Sequence, residues 1–323
     1  MSLVVAITDY VFPSLEPERA VLEPLGAELR PAQCKSEEEI IALTQEADAV
    51  LNCYAKMTAR VIDKLQRCKI IARYGIGVDN VDLVAANKAK ILVTNVPDYC
   101  VDEVSDHALA LVLSLARKIV AADAGVKSGN WSVTAHAEIR RLRGQTLGLL
   151  GFGKIAKALA SKAQPLGMKA LVYDPYLEAE LISRHGAEAV SLDRLLAEAD
   201  AISIHVPLSP ETRNLIGQRE LARMKSTAFL INTSRGGIVD ELALAMALKE
   251  NRLGGAALDV LAAEPPPPDH PLRQAPNMIL TPHLAFYSRE SLIELQTKTA
   301  EEVARALKGE PPRSPVNPEV LSF

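Results

Sequence analysis

Short apolar runs alternate with amphipathic segments along the first hundred residues of the chain. The runs VVAITDYV, AVLNCY and ILVTNV have the length and composition of strands, and segments between them, such as SEEEIIALTQEA, carry apolar residues at helical spacing. Strands that alternate with helices in this way are typical of a parallel sheet with helices on its faces. This part of the chain is therefore predicted to have an α/β fold.

A second alternating series follows a long apolar segment. One helix is predicted from Glu103 to about Val126, and the polar stretch KSGNWSVTAHAEIRRLRG separates it from the next strand. The series then offers five or six strands, an order that predicts a doubly wound parallel sheet. Its intervening helices are predicted at 153–165, 178–185, 218–225 and 240–251. Another amphipathic helix and a proline-broken tail follow near the C-terminus.

Composition limits the classes of protein and of partner. The 323 residues suggest about two domains, and a hydrophobic content of 48% suffices for buried cores in both. The net charge of −4 at pH 7, without a long Lys/Arg run, argues against a nucleic acid or membrane partner. No signal peptide is recognisable and the cysteines form no C-x-x-C pair, so reduced thiols and a cytoplasmic location are expected. No metal site is predicted.

The segment GFGKIAKALA has the pattern of a dinucleotide-binding loop. Gly151 and Gly153 follow the apolar strand TLGLL and precede a helix, so their backbone would face a pyrophosphate at the helix N-terminus. Ala156 replaces the third glycine of G-x-G-x-x-G, where a small residue suffices for helix–strand packing. Asp174 ends the next strand, and its carboxylate can bind both ribose hydroxyls and repel a 2′-phosphate. The loop therefore predicts NAD rather than NADP.

Three strands of the second series end in polar residues that suit acid–base chemistry. Arg235 lies in INTSRGG, Glu264 in LDVLAAEPP and His283 in ILTPHLAF. The carboxyl ends of parallel strands form the ligand crevice of such sheets, so these side chains are expected to converge there. Arginine can bind a carboxylate, histidine can exchange a proton near neutral pH, and a carboxylate can orient the histidine. Together they suit hydride transfer between NAD and the carbinol carbon of a 2-hydroxy acid.

Several longer motifs occur in the order of one known family. GFGKIA, VYDPY, NTSRGGIVDE, AALDVLAAEPP and TPHLAFYS, with ARYGIGVDNVD upstream, resemble the D-isomer-specific 2-hydroxyacid dehydrogenases over essentially the whole chain. The resemblance implies two Rossmann-like α/β domains with parallel doubly wound sheets. An NAD-binding domain (101–285) would be inserted into a flavodoxin-like substrate domain (1–100 and 286–323), with hinges near 97–102 and 284–288. It also implies hydride transfer between the nicotinamide and C2 of a small D-2-hydroxy acid or 2-oxo acid.

The same resemblance implies roles for individual residues. Arg235 would bind the substrate carboxylate and carbonyl, His283 would be the general acid or base, and Glu264 would be its partner. The backbone amides of Ile76 and Gly77 would hold the substrate carboxylate. The residues expected around NAD are Gly151, Gly153, Lys154, Ile155, Asp174, His205, Pro207, Thr212, Thr233 and Asp259. The residues expected to shape the substrate pocket are Arg73, Tyr54, Lys56 and Phe286.

The resemblance leaves the substrate and one other function open. Phosphoglycerate dehydrogenases are relatives, and Arg73 lies where they carry a phosphate-reaching basic residue, but Asn52 replaces another such residue. 3-Phosphoglycerate is therefore an alternative substrate. HAEIRRLRGQTLG, DPYL and HLAFYS also resemble the C-terminal binding protein co-repressors. This second resemblance implies an alternative function as an NAD(H)-sensing binding module.

The segment 103–143 is the part of the chain from which the oligomeric state is predicted. The predicted helix 103–126 and the polar stretch 127–143 resemble the part of the family through which cofactor domains pair. From the residues alone, an ordinary buried core helix is an equal alternative, because a helix that is apolar all round is simply buried. A homodimer is therefore expected from the resemblance.

Overall fold

The chain forms two compact units. The computed structural model describes residues 3–134 and 138–322. The first unit contains the described residues up to Tyr99 and from Ser288 onward, and the second contains those of Cys100–Tyr287. These boundaries fall one residue before and two residues after the predicted ones. Among the described residues, no helix combines the length and the apolar character needed to cross a membrane.

Strands and helices alternate through both units. The strands are β1 (Leu3–Ile7), β2 (Ala27–Pro31), β3 (Ala49–Asn52), β4 (Ile70–Arg73), β5 (Leu92–Thr94), β6 (Thr146–Leu150), β7 (Lys169–Tyr173), β8 (Glu188–Ala189), β9 (Ala201–Ile204), β10 (Phe229–Asn232), β11 (Gly255–Leu258) and β12 (Met278–Leu280). The α-helices are α1 (Glu16–Leu22), α2 (Glu37–Thr44), α3 (Ala59–Ile62), α4 (Leu83–Lys88), α5 (Val101–Ala116), α6 (Ile119–Lys127), α7 (Lys154–Ala163), α8 (Ala179–Ser183), α9 (Leu192–Glu198), α10 (Gln218–Leu221), α11 (Glu241–Lys249) and α12 (Arg289–Lys308). The predicted α/β fold class is therefore confirmed.

Within the described chain, the first unit contains a five-stranded parallel sheet with the order β2-β1-β3-β4-β5. Val50, Leu51 and Ile71 on its central strands have no exposed surface, as expected for strands covered on both faces. The C-terminal helix α12 packs against α1, β3 and β4 and buries Leu292 and Leu295. This packing explains why the C-terminal segment belongs to the first unit. The hydrophobic pattern alone did not predict that return.

The second unit contains a parallel sheet whose described strands have the order β12-β11-β10-β9-β6-β7-β8. The chain first builds outward through β7 and β8 and then returns to place β9 on the other side of β6. The crevice at the carboxyl ends of β6 and β9 is therefore the topological switch point where such sheets bind ligands. The prediction of five or six strands missed β8, which spans only the two residues Glu188–Ala189.

The prediction of one long helix from Glu103 to about Val126 is wrong. The segment forms α5 and α6, and the chain bends at Lys118, whose φ of 56° is left-handed. No glycine or proline marks the break, so the sequence carried no signal for it. The apolar face of α5 is buried, whereas α6 has no buried residue. The other predicted helices exist but are shorter, namely α7, α8, α10 and α11.

Candidate active site

The glycine loop of the second unit leaves open space at the start of α7. Gly151 has a φ of 84°, and a Cβ there would lie 2.8 Å from the carbonyl oxygen of His205. Only glycine satisfies both constraints. A Cβ at Gly153, which precedes α7, would meet no atom within 4 Å among the described residues. The N-cap residue Gly153 has no side chain that could cap α7, whose first turn contains Lys154 and Ile155, so this helix N-terminus fits the pyrophosphate of a dinucleotide.

Asp174 lies beside the glycine loop, directly after β7. One carboxylate oxygen accepts a hydrogen bond from the amide of Phe152 (2.9 Å), and the other accepts one from the amide of Tyr176 (3.0 Å). These bonds fix the carboxylate at the edge of the loop, and each oxygen retains acceptor capacity for a hydroxyl. The arrangement fits the ribose of NAD, and its negative charge disfavours a 2′-phosphate.

His205 directly follows β9 at the switch point. Its Nε2 lies 2.9 Å from the hydroxyl oxygen of Ser203. Burial lowers the pKa of His205 to about 4, because the charged imidazolium loses its hydration. The imidazole is therefore neutral near pH 7 and suits the cofactor wall that the resemblance implies rather than proton transfer.

Two threonines near the crevice are engaged differently. The Thr212 hydroxyl donates to the carbonyl oxygen of Pro207 (2.6 Å) and accepts from the amide of Ser209 (2.8 Å), so it stabilises the turn at 207–212. Thr233 is buried directly after β10, and its hydroxyl has no hydrogen-bond partner in the part of the chain that the structure describes. Buried polar groups are rarely left unpaired, so this hydroxyl is a candidate contact for a bound cofactor.

The Arg235 loop follows β10 and is held by the side chain of Asn232. Nδ2 of Asn232 donates to the carbonyl oxygen of Arg235 (2.8 Å), and Oδ1 of Asn232 accepts from the backbone amide of Ser234 (2.9 Å). The next residue, Gly236, is required by close packing, because a Cβ there would lie 2.0 Å from the carbonyl carbon of Leu261. This contact joins the Arg235 loop to the segment that carries Glu264.

His283 and Glu264 form a hydrogen-bonded pair. The Nδ1 atom of His283 lies 2.7 Å from Oε2 of Glu264, and because a carboxylate only accepts, Nδ1 is the donor. The side chains are 24% and 36% exposed, so solvent and a small ligand can reach them. The ring of Phe286 lies edge-on to the His283 ring, with 6.1 Å between the centroids. The predicted acid–base pair thus has bonding geometry.

Burial and nearby positive charge shift the pKa of the Glu264 carboxyl group in opposite directions. Burial alone would raise the pKa of its carboxyl group, but the hydrogen bond to His283 and the positive charges of His283 and Arg235 lower the pKa below the usual 4.5. The amide of Leu261 also donates to Oε1 (2.9 Å) and favours the ionised form. Glu264 is therefore a carboxylate at neutral pH, which is the state that can orient an imidazole.

Asp259 stabilises the backbone conformation of the loop that contains His283. His283 has a φ of 52°, an uncommon conformation for a residue with a side chain, and its amide donates to the carbonyl oxygen of Asp259 (2.8 Å). The buried Asp259 carboxylate accepts from the Thr281 hydroxyl (2.5 Å) and from the amides of Leu284 (3.0 Å) and Ala285 (2.9 Å). These bonds hold the backbone of His283 in its strained conformation. The cofactor contact expected of Asp259 stays a prediction.

The predicted substrate loop lies in the first unit, after β4. The carbonyl oxygens of Gly75 and Ile76 accept hydrogen bonds from the amide of Val96 (2.9 Å) and the side chain of Asn95 (2.6 Å). Within residues 3–134 and 138–322, the amides of Ile76 and Gly77 donate no such bond. The loop is therefore anchored through its carbonyl groups, and two adjacent N–H groups remain for an anion.

Arg73 lies directly against this loop. A Cβ at Gly75 would fall 1.4 Å from Nη1 of Arg73, so the guanidinium occupies the space that a side chain would need. Gly75 also has a φ of 136°, which favours glycine. The sequence therefore places a cation within the predicted substrate loop.

The neighbouring loop, after β3, contains Tyr54 and is held by buried polar groups. The Asp9 carboxylate accepts from the amides of Cys53 (3.1 Å), Tyr54 (2.6 Å) and Ala55 (3.2 Å). Asn52 is fully buried and donates to the Thr8 hydroxyl (3.1 Å). Lys56 follows Ala55 in the same loop. Asn52 therefore has a structural role, and the pocket-shaping roles of Tyr54 and Lys56 stay predictions.

Sequence reasoning missed several supporting residues. Asp9 lies two residues after the end of β1, so the rule applied to the other strand ends could have found it. The side chain of Asn80 donates to Asn52 Oδ1 (2.8 Å) and thereby ties the Tyr54 loop to the substrate loop. Glu241 and His270 pair at 3.0 Å near the Glu264 segment. Glu241 ends the motif NTSRGGIVDE, which offered a signal for it, whereas His270 lies in none of the quoted motifs.

Comparison with known proteins identifies this arrangement. Residues 109–285 match the model of the D-isomer specific 2-hydroxyacid dehydrogenase NAD binding domain. The chain belongs to this family. It is 40% identical over 290 residues to a glyoxylate reductase of Korarchaeum cryptofilum, covering 88% of this chain and 87% of that protein. It is therefore an NAD-dependent dehydrogenase, as predicted.

Two other relatives show the range of the family. A D-3-phosphoglycerate dehydrogenase of Synechocystis is 43% identical over 283 residues, which cover 87% of this chain but 51% of that longer protein. The structure of an Aquifex aeolicus D-lactate dehydrogenase complexed with NAD and lactic acid has a TM-score of 0.85 at 30% identity, covering 95% of this chain and 96% of that one. The predicted family, fold and NAD cofactor are thus confirmed, while these names differ in the substrate.

Proposed function

We propose that this dehydrogenase interconverts a small 2-oxo acid and its D-2-hydroxy acid, with His283 and Glu264 as the acid–base pair and Arg235 on the substrate carboxylate. The observation that carries this proposal is the 2.7 Å bond between His283 Nδ1 and Glu264 Oε2, with the charge of Arg235 acting on the same carboxylate. Proton transfer, carboxylate binding and histidine orientation are the functions that such a reduction requires.

The bonding pattern assigns the proton-transfer atom. Because Nδ1 of His283 donates to Glu264, Nε2 is the atom proposed to give the proton to the substrate oxygen. NAD in its reduced form, when bound, supplies the hydride that C2 of the oxo acid receives. The new hydroxyl oxygen takes its proton from His283, and Glu264 stabilises the imidazolium before that transfer and orients the neutral imidazole after it. In the oxidation direction His283 accepts the same proton.

The substrate carboxylate has two proposed contacts. The planar guanidinium of Arg235 can bind it through paired hydrogen bonds, and it can also polarise the carbonyl group. The amides of Ile76 and Gly77 are the second contact, in agreement with the anchored carbonyl groups of their loop. Arg235 suits a carboxylate next to the reacting carbon, as in a 2-oxo acid.

We propose a small unphosphorylated acid, such as glyoxylate or hydroxypyruvate, as the substrate. Asn52 supports this choice, since its side chain is buried and bonded to Thr8 and cannot reach a phosphate. Arg73 favours the alternative, 3-phosphoglycerate, because its guanidinium lies within the substrate loop. The same guanidinium can also pair with a second anionic group on a small acid or donate a hydrogen bond to its hydroxyl group. The two substrate classes are therefore distinguished by comparing their turnover directly.

A homodimer and a cytoplasmic location remain proposals. Apolar side chains are exposed along and after α6, namely Ile119, Val120, Val126, Trp131 and Val133. Such a patch on one segment is typical of a protein interface. The implied assembly can be checked by light scattering, which is expected to give twice the mass of the 34.9 kDa chain.

The function is tested by NADH oxidation with the purified protein and a panel of 2-oxo acids. The panel contains glyoxylate, hydroxypyruvate, pyruvate, longer apolar acids and phosphohydroxypyruvate, with NADPH as the parallel control. Rapid NADH turnover on a small acid would support the proposal, and preference for phosphohydroxypyruvate would replace the substrate. Tight NADH binding without turnover on any acid would contradict the proposed reaction and favour a function as an NAD(H)-sensing module.

A further inference from the structure

A second histidine–carboxylate pair lies behind the Glu264 segment. Nε2 of His270 lies 3.0 Å from Oε2 of Glu241, the first residue of α11. The two side chains are only 14% and 12% exposed. Side chains that can carry charge are rarely buried to this extent unless they are paired, so we regard the pair as a structural element of the second unit.

The pair holds the turn that carries Glu264. The other oxygen of Glu241, Oε1, accepts a hydrogen bond from the amide of Ala262 (2.6 Å). The preceding amide, of Leu261, donates to Glu264 itself (2.9 Å). Leu261 also packs on Gly236, whose Cβ position would overlap its carbonyl group at 2.0 Å. The turn at 261–264 is therefore fixed between the Arg235 loop and Glu241.

We propose that Glu241 and His270 are positioning residues, which hold the turn at 261–264 so that the Glu264 carboxylate meets His283. The inference rests on the acid–base role proposed for His283 and Glu264. Neither positioning residue is placed on the substrate. They act through the backbone of Ala262. They are also connected to the Arg235 loop, because α11 begins six residues after Arg235.

The bonding pattern predicts which substitutions are tolerated. A glutamine at position 241 can still accept from the Ala262 amide, and its amide group can donate to His270 Nε2 if the imidazole proton moves to Nδ1. That move is open because Nδ1 of His270 is buried without a hydrogen-bond partner in the described residues. Glu241→Ala and His270→Phe remove the contacts altogether. Glu241→Gln is therefore the conservative variant that should preserve the function.

The first test measures the pKa of the Glu264 carboxyl group by its carbon-13 chemical shift. Glu264 faces the charges of His283 and Arg235, which hold its pKa below 4.5. In Glu241→Ala and His270→Phe the pKa is expected to rise toward 4.5, whereas Glu241→Gln should resemble the wild type. Glu250→Ala, at the C-cap of the same helix and paired with Arg252 at 2.7 Å, is the control that should change nothing. An unchanged pKa in a folded Glu241→Ala protein would overturn the proposal.

The second test is a double-mutant cycle on turnover. Glu241→Ala is expected to lower kcat about tenfold with a smaller change in KM, and to add no further loss to Glu264→Gln, because both changes break the same contact. Fully additive losses would show that Glu241 acts elsewhere and would overturn the positioning role. If Glu264→Gln alone left kcat unchanged, the acid–base proposal would fail instead, and the carbon-13 titration would still decide whether Glu241 positions Glu264.

Discussion

Glu264 and Glu18 are two partly or fully buried carboxyl groups with opposite behaviour. Glu264, in the second unit, has a pKa below 4.5 because the hydrogen bond to His283 and the charges of His283 and Arg235 outweigh its burial. Glu18, in the first unit, accepts hydrogen bonds from the Tyr74 hydroxyl (2.8 Å) and the Gln296 amide (2.9 Å), yet burial raises its pKa above 4.5. At Glu18 the two neutral donors, even with the charge of Arg19, fail to offset the loss of hydration. At Glu264 the hydrogen bond to His283 together with the charges of His283 and Arg235 does so.

The opposite pKa shifts distinguish Glu264, which is proposed to take part in the reaction, from Glu18, which has a structural role. Glu264 is ionised beside a histidine with access to solvent, which is the arrangement that proton transfer requires. Glu18 has no exposed surface, and its bonds join α1 to α12 through Gln296 and to the end of β4 through Tyr74. A buried carboxyl group is therefore informative about function only together with the charge of its partners.

The largest expected effect comes from removing the cationic partner of Glu264. His283→Asn should lower kcat about 10²- to 10⁴-fold, because no other group is proposed to transfer the proton. NADH affinity, followed by fluorescence titration, should change little and shows that the cofactor site remains intact. Turnover within about twofold of the wild type would contradict the acid–base assignment.

Replacing the carboxylate itself should have a smaller effect. Glu264→Gln retains the size of the side chain but loses the charge, so kcat is expected to fall about tenfold, the equivalent of one charge-assisted hydrogen bond. The alkaline limb of the pH–rate profile for the reduction should shift to lower pH as well, since the imidazolium loses its negative partner. A profile identical to that of the wild type would show that Glu264 has no part in the proton transfer.

At Glu18 the same kind of change should act on stability rather than on rate. Tyr74→Phe removes one hydrogen bond to a buried carboxyl group, so the free energy of unfolding is expected to fall by about 1–3 kcal/mol in urea. The change in kcat should be much smaller than for either substitution at the His283 pair. A large loss of kcat with unchanged stability would break the comparison.

The smallest expected effect is on the pH dependence of stability. A lowered folded-state pKa means that the contribution of Glu264 is present above 4.5 and is lost as the pH falls through its folded value. A raised folded-state pKa means that the ionisation of Glu18 costs stability as the pH rises from 4.5 through its folded value. Urea midpoints of the wild type, Glu264→Gln and Glu18→Gln between about pH 3.5 and 7 would show these two slopes, which have opposite signs. Slopes of the same sign would refute the contrast.

The sequence revealed the groups whose motifs carry a mechanism. Gly151, Gly153 and Asp174 follow strand ends in the order of a dinucleotide site. The same rule predicts Arg235, Glu264 and His283 as the residues of the chemistry. The bend at Lys118 was missed, since a left-handed lysine has no sequence signal. Glu18 was also missed, because its partners Tyr74 and Gln296 are distant along the chain and meet only in the folded unit.

The central claim is that His283 bonds to Glu264 as its acid–base partner and lowers the pKa of that carboxyl group, and it is tested most directly by a carbon-13 titration of the Glu264 carboxyl group in the wild type and in His283→Asn. The account predicts a pKa below 4.5 in the wild type and a clear rise in the variant, since burial then has one opposing charge fewer. The same pKa in both proteins would contradict it.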